Sequence, residues 1–487
     1  VAAYRQLTGN GVWPEDAALL ERIRMKPVRT LSGVTTVTVL TKPYPCPGDC
    51  IFCPSDVRMP KSYLPDEPGA RRGLEHNFDP YSQVASRIEA LQAVGHPTDK
   101  IELLILGGTW SVYRRDYQEW FIRRCFDAMN GVPENAAGAQ TLEEAHSLNE
   151  NTLHRNVGLV VETRPDYIHP EELVWLRKLG VTKIQMGVQS MDDRILALNR
   201  RGHTVAETRQ AAALLRAGGF KVVMHWMPNL LGATPESDRA DFSRLWDDLC
   251  PDEIKIYPNQ LLRNAELYEY WLRGEFTPYT TQELIDLIAD VKPNIPRYCR
   301  VNRVIRDIPS TNVIAGNKRT SLRQDVQDEL CQRGARCNCI RCREVSGHKI
   351  DPDNLVLNDL IYFAGGAEEH FLSFDSPGDP PTGDRLAGFL RLSLPGPGSP
   401  SLGISDLHGA AIIREVHVYG QSLEVGRARR GAAQHVGLGK ALIRRAEEIA
   451  QGRGFQRLAV ISAVGTRTYY LKQGFERGDL YLWKRLS

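Results

Sequence analysis

The stretch VTTVTVLTKPYPCPGDCIFC (34–53) runs a β-branched apolar strand straight into three cysteines, Cys46, Cys50 and Cys53, spaced CxxxCxxC. Further short apolar runs follow at 101–108, 157–163, 181–188, 220–227 and 253–258. Most of the segments between them carry helical periodicity, as in YSQVASRIEALQAV and VAETRQAAALLRAGG, and several end at glycine. Six such βα units predict a parallel sheet curled into a partial (βα)6 TIM-like barrel, with chemistry at the C-terminal ends of the strands. The cysteine loop falls at one of those ends.

The remainder of the chain has a different texture. Residues 297–349 are basic, with twelve Lys/Arg against five Asp/Glu, although the whole chain carries only +2. Such clustering reads equally as a nucleic-acid footprint or as a solvated surface. From about 350, strand-like runs joined by Pro/Gly turns give way to a helix pattern and another strand, an α+β arrangement. The expected domains are therefore 1–296 (barrel), 297–349 (basic linker) and 350–487 (α+β). With 42% hydrophobic and 25% charged residues, global disorder is excluded. No run reaches the ~18–20 apolar residues of a membrane span. The start at Val1 shows no signal-peptide pattern and suggests a trimmed N-terminus, so a cytoplasmic location without membrane contact is expected.

Three thiolates can hold three irons of a 4Fe-4S cluster and leave the fourth open to a chelating ligand. A zinc knuckle would need a fourth ligand, and none follows until His76. The CxxxCxxC loop, with Phe52 before its last cysteine, is the signature of the radical S-adenosylmethionine (SAM) superfamily. Gly107 and Gly108 close the second strand as that superfamily's glycine motif does, and Glu162 and Gln189 close later strands on the same rim. A second trio, Cys337, Cys339 and Cys342, has no barrel strand before it and reads as structural zinc, with Cys331, Cys299 or His348 open as fourth ligand. Unligated surface thiols are the alternative. Further on, Gln434-His-Val-Gly-Leu438-Gly439-Lys440 opens an amphipathic helix after the strand Glu415-Val416-His417-Val418. Glycines at a helix N-terminus let backbone N–H groups approach an anion. QxxGxG in this setting is the pyrophosphate loop of GCN5-related acetyltransferases, which bind acetyl-CoA. Tyr469, Tyr470 and Tyr481 are candidate catalytic residues, since a phenol can give a proton to a departing thiol; they also read as core tyrosines.

Taken together, KPVRTLSGVTTVTVLTKPYPCPGDCIFCP, ILGGTWS, VETRPDYI, QMGVQSMDD, CNCIRCREVSG, EVHVYG and GTRTYYLKQGF resemble, in order and over nearly the whole chain, the family of the Elongator catalytic subunit, the tRNA uridine acetyltransferases. The resemblance implies a 4Fe-4S cluster on Cys46, Cys50 and Cys53, SAM as radical source, and acetyl-CoA as co-substrate. It implies abstraction of hydrogen from the acetyl methyl group, addition to carbon 5 of the wobble uridine, and thioester hydrolysis to leave a carboxymethyl group. It places Lys100, Glu415, Val416, His417, Val418, Leu438, Gly439, Lys440 and Tyr470 against acetyl-CoA. The implied partner is a tRNA anticodon stem-loop, and Elongator-type subunits or a homodimer stay open. Three departures stand out: Met227-Pro-Asn-Leu-Leu-Gly232 for MPGLPG, Arg263-Asn-Ala265 for RGT, and little of the family's basic N-terminal extension before Val1. The first two touch cleft shape, and the last implies weakened tRNA affinity, because phosphate contacts dominate it. Competing readings are a protein lysine acetyltransferase with a structural cluster and a tRNA-binding scaffold with degenerate sites.

Overall fold

The computed structural model describes residues 1–14, 16–25, 30, 32–345, 351–378, 383–419 and 437–486. The apolar runs form β1 (Thr35–Leu40), β2 (Lys100–Leu106), β3 (Arg155–Thr163), β4 (Lys183–Gln189), β5 (Lys221–Trp226) and β6 (Glu253–Ile256), and a further strand follows, β7 (Arg300–Val304). All seven pair in chain order in one parallel sheet, whose edges β1 and β7 do not close on each other. Sequential order with a crossover after each strand curls the sheet one way, which gives the open half-barrel. The expected partial barrel is thus present, with one strand more than the six read from the sequence. That strand lies within the basic segment. Only Val301 and Val304 of its five residues are apolar and buried, so it lacks the apolar run that marked the others.

Local signals support the units. Thr204 Oγ1 accepts from the Glu207 N–H at 3.2 Å, and the Glu207 carboxylate accepts from the Thr204 N–H at 2.7 Å. This capping box starts the helix Val205–Ala217. Its end turns through Gly219, whose positive φ of 72° suits glycine, and feeds β5.

The second sheet contains β8 (Val356–Ala364), β9 (Ala367–Ser376), β10 (Arg385–Pro395), β11 (Ala410–Val418), β12 (Arg457–Val460), β13 (Glu476–Arg477) and β14 (Leu482–Arg485). The spatial order is β13-β14-β12-β11-β10-β9-β8. Only β11 and β12 run parallel, joined through the helix Leu438–Gly452, which packs Leu442, Ile443 and Ala446 onto Leu390, Ile413 and Val460. Arg391 pairs with Glu415 but Leu392 with Ile413, so Arg414 is the extra residue of a β-bulge.

The bulge has a consequence for docking. Arg414 and Glu415 both reach the barrel. Arg414 donates to Asp252 at 2.7 and 2.8 Å and to Glu369 at 3.0 Å, with all three side chains fully buried. Arg391 joins Asp252 to Glu415, and Lys221, the first residue of β5, pairs with both Glu253 and Glu415. Lys183, first in β4, bridges Glu102 at 2.5 Å and Glu253 at 3.4 Å. These groups sit at the N-terminal ends of the barrel strands. The second sheet therefore packs against the end of the barrel opposite the cysteine loop. The apolar core is continuous across the junction, running from Val37, Val161 and Met224 to Phe389, Tyr419 and Ile461.

Candidate active site

Inward-facing residues alternate along the barrel strands, such as Thr36, Thr38 and Leu40 on β1, and they enclose one cavity of about 820 Å³. Cys46, Cys50 and Cys53 line one end of it. Glu415, Val416, His417 and Tyr470 line the other. The loop that carries the thiols is held by the barrel: Ile51 N–H donates to the Asn199 carbonyl at 3.3 Å, and Leu267 N–H donates to the Ile51 carbonyl at 2.8 Å. Gly48 N–H donates to Cys46 Sγ at 3.4 Å, and Arg201 Nη1 donates to Cys50 Sγ at 3.5 Å. Four thiolates around one zinc, at Zn–S of about 2.3 Å, sit near 3.8 Å apart. Among the described residues, the trio whose ligand atoms all lie within 4.8 Å of one another is Cys337, Cys339 and Cys342. The second trio thus matches a single ion, whereas the first is spread more widely, as a multi-iron cluster requires.

Beside the thiols the backbone is unusual. Gly107 has φ 144° and Gly108 has φ 90°. A Cβ on Gly107 would overlap the Thr41 hydroxyl, and a Cβ on Gly108 would lie 3.4 Å from the Lys61 carbonyl. Gln189 ends β4 with φ 70°, and its Oε1 is buried without a partner. An orphaned acceptor in a strained residue at a strand end is open to a ligand's hydrogen-bond donor. Glu162 accepts from the Tyr63 hydroxyl at 2.7 Å, and burial, only partly offset by Lys255, raises its pKa. Glycines whose φ or surroundings disfavour a side chain, together with an unpaired buried acceptor, suit a SAM-sized ligand beside the thiols. Gly107→Ala is expected to cost about 1–3 kcal/mol of stability and to weaken SAM binding. Unchanged thermal unfolding together with unchanged SAM affinity in calorimetry would contradict this reading of the cradle.

At the opposite end the second sheet opens. β11 pairs with β12 only through Ala410–Ile413, and the last link is Ile461 N–H to the Ile413 carbonyl at 3.2 Å. Glu415–His417 continue along β10 with no β12 partner, so that strand edge faces the gap. Glu415 is held by Lys221 and Arg391, which outweigh burial and lower its pKa. Burial depresses the His417 imidazole to about 4, leaving it neutral. Tyr470 is buried, and desolvation keeps its phenol protonated.

Other expected residues fall elsewhere. Tyr481 does not reach the cavity lining: its hydroxyl donates to the Gly218 carbonyl at 2.7 Å and its ring lies under Arg177, a structural contact between the domains. Tyr469 is 39% exposed, with its hydroxyl against Gly439 at the helix start, so it sits beside Leu438, Gly439 and Lys440. Gln434, His435 and Val436 of that motif lie outside the described residues, as does His348. Lys100 begins β2 at the barrel's N-terminal rim, and Val418 ends β11; neither lines the cavity. Near the second thiol trio, Cys299 is fully buried and feels the charge of Cys339, whereas Cys331 is exposed.

For the basic segment, read equally as a nucleic-acid footprint or a solvated surface, the structure adds the partners of its charges. Much of its charge is consumed internally. Arg343 is buried on Asp375, Arg300 pairs with Glu344, Arg306 with Glu67, and Arg333 with Asp286, Asp290 and Glu329. Residues that sequence reasoning missed include Arg164, Arg201, Lys221, His225 and Lys255, all lining the cavity. The signal for the strand residues among them was a charged or polar side chain on the same face of an otherwise apolar strand, as in Lys221 and His225 of KVVMHW, an even number of residues apart.

Comparison with known proteins agrees with this geometry. Residues 44–243 match the radical SAM superfamily and residues 251–332 match a radical SAM C-terminal domain. The tRNA uridine(34) acetyltransferase of Dehalococcoides mccartyi is 43% identical over 466 residues, covering 94% of this chain and 99% of that one. The chain belongs to the tRNA uridine(34) acetyltransferase family. Elongator complex protein 3 of Danio rerio is 36% identical, over 96% of this chain and 87% of its own. The solved structure of archaeal Methanocaldococcus infernus Elp3, lacking its N-terminus, superposes with a TM-score of 0.80 at 38% identity, covering 93% of this chain and 99% of that one.

Proposed function

We propose that this chain modifies the wobble uridine of tRNA, with acetyl-CoA as carbon donor and SAM as radical source, to give a carboxymethyl group on carbon 5. The observation that carries the reading is the single cavity with the CxxxCxxC thiols at one end and the open edge of β11 at the other. A methyl C–H is too inert for acid–base chemistry; Cys46, Cys50 and Cys53 would hold a 4Fe-4S cluster which, with SAM, would supply the one-electron chemistry that it requires. The protein's part is positioning.

The unpaired edge of Glu415–His417 can take the pantetheine amides as a further strand would. The Leu438-Gly439-Lys440 helix start then receives the pyrophosphate, where the macrodipole and backbone N–H groups favour anions. Lys221 and Arg391 fix the Glu415 side chain, so the strand is registered against the barrel before substrate arrives. Tyr470 would give its proton to the departing thiolate. Tyr470→Phe should lower acetyl-CoA turnover about 10²-fold with its KM unchanged, the size expected for loss of one general acid. Equal turnover would remove Tyr470 from that role. Cys337, Cys339 and Cys342 would hold structural zinc beside β7, with Cys299 the nearest buried thiol. Among the described residues, no helix is long and apolar enough to cross a membrane.

The reading is tested by incubating the chain anaerobically with tRNA, SAM and acetyl-CoA and analysing the tRNA nucleosides by mass spectrometry. Carboxymethyluridine is expected. Acetylated lysine without any tRNA product would instead favour a protein acetyltransferase.

A further inference from the structure

Arg164, just beyond β3, is only 4% exposed. Its Nε and Nη2 donate to the Asp166 carboxylate, each at 2.9 Å, and Nη2 also donates to the Arg201 carbonyl at 2.8 Å. One edge of the guanidinium is therefore fully engaged and its orientation fixed. The remaining nitrogen, Nη1, is buried and has no partner. It lies against Gly48, inside the loop between Cys46 and Cys50. A Cβ on Gly48 would overlap Nη1, and the same point is 3.6 Å from Cys50 Sγ. Cys50 and Cys46 both attract the guanidinium electrostatically. Gly48 does not have positive φ, so its backbone does not demand glycine. The space taken by Arg164 does.

A buried N–H donor without an acceptor is costly unless something absent from the chain accepts from it. The Cys50 and Cys46 thiolates, and the inorganic sulfide of a bound cluster, would be the electron-rich acceptors on this side of the guanidinium. Hydrogen bonds and positive charge at a cluster's sulfurs favour its more negative, reduced form, and the effect is strong where water is excluded. We propose that Arg164 aims its free Nη1–H at the iron–sulfur site and raises that site's reduction potential, and that Gly48 is glycine to admit it. This rests on the radical-enzyme reading above and adds a positioning residue to it. Asp166 acts through Arg164 by holding the guanidinium edge-on.

The test uses the full chain, reconstituted anaerobically with iron and sulfide and titrated with dithionite in the presence of redox mediators, the reduced cluster being followed by electron paramagnetic resonance. R164Q should load iron and show a midpoint potential more negative than the parent, with R164K intermediate because it keeps the charge but not the fork. G48A should move the midpoint in the same direction as R164Q, because the methyl displaces the guanidinium. The double variant should move it no further than R164Q alone. An R164Q protein with full iron content and an unchanged midpoint overturns the proposal, as does a G48A shift that simply adds to that of R164Q. Should R164Q fail to take up iron, G48A decides: an unchanged midpoint there overturns the proposal and a negative shift supports it. A parent chain that binds no iron–sulfur centre defeats the radical-enzyme reading itself, and this inference with it, a result distinct from a loaded centre whose potential ignores Arg164.

Discussion

Cys50→Ser abolishes formation of modified uridine while leaving acetyl-CoA binding at the parent level. Cys50 is half-buried in a loop outside the apolar cores, so its replacement by an isosteric hydroxyl should change stability by no more than about 0.5 kcal/mol. The hydroxyl is a poor ligand for iron where the thiolate is a good one. The end proposed for acetyl-CoA lies at the opposite end of the barrel strands and is lined by Glu415, Val416, His417 and Tyr470. Binding there should therefore persist, measured by calorimetry, while tRNA product falls to background. If Cys50→Ser still made product, any cluster would be structural and the acetyltransferase alternative would take its place. SAM cleavage measured alongside separates the scaffold reading: a loaded parent protein that never releases 5′-deoxyadenosine has lost its chemistry.

Arg414→Leu is expected to lower the free energy of unfolding by about 3–5 kcal/mol, the cost of removing one partner from a buried charge network. Asp252 and Glu369 have no exposure through which water could replace the guanidinium. Asp252 gives the effect a pH signature. Burial alone would raise its pKa, but Arg414, then Arg391, outweigh burial and hold the carboxyl well below the ordinary carboxylate range. A carboxyl with a depressed folded-state pKa contributes stability that is complete above its unfolded value, about 3.9, and that is lost as pH falls through the folded value. The parent's advantage over Arg414→Leu should thus be full at pH 7 and shrink below about pH 4. Urea unfolding at both pH values measures it. A difference under about 1 kcal/mol at pH 7, a size ordinary for a surface substitution, would show that the ion network does not hold the two sheets together.

The parts of this molecule that could be read from its sequence are those in which neighbours in the chain are also neighbours in space. The cysteine loop follows its strand directly, Gly107 and Gly108 end theirs, and the Glu415–Val418 strand precedes its helix, so local pattern located each of them. β7 escaped because its neighbours ask for polar side chains on one face: Arg300 and Asn302 line the cavity, and only Val301 and Val304 are left as apolar signal. The basic excess of residues 297–349 stayed ambiguous for the complementary reason. Composition counts charges but not their partners, and the carboxylates that neutralise Arg306 and Arg343 sit on distant elements, at Glu67 and Asp375. Tyr481 had the right chemistry and the wrong surroundings, since its hydroxyl was already spent on the Gly218 carbonyl. The docking network had no sequence signature at all, because Asp252 and Arg414 are 162 residues apart and each alone reads as a surface charge.

That two chemistries meet in one cavity is tested most directly by following the acetyl carbon. Acetyl-CoA labelled with ¹³C in its acetyl group, incubated anaerobically with the iron-loaded chain, SAM and tRNA, should yield wobble uridine carrying both labelled carbons, with none formed when SAM is omitted. Label that reaches tRNA without SAM, or SAM cleavage that leaves every uridine unlabelled, would contradict the account.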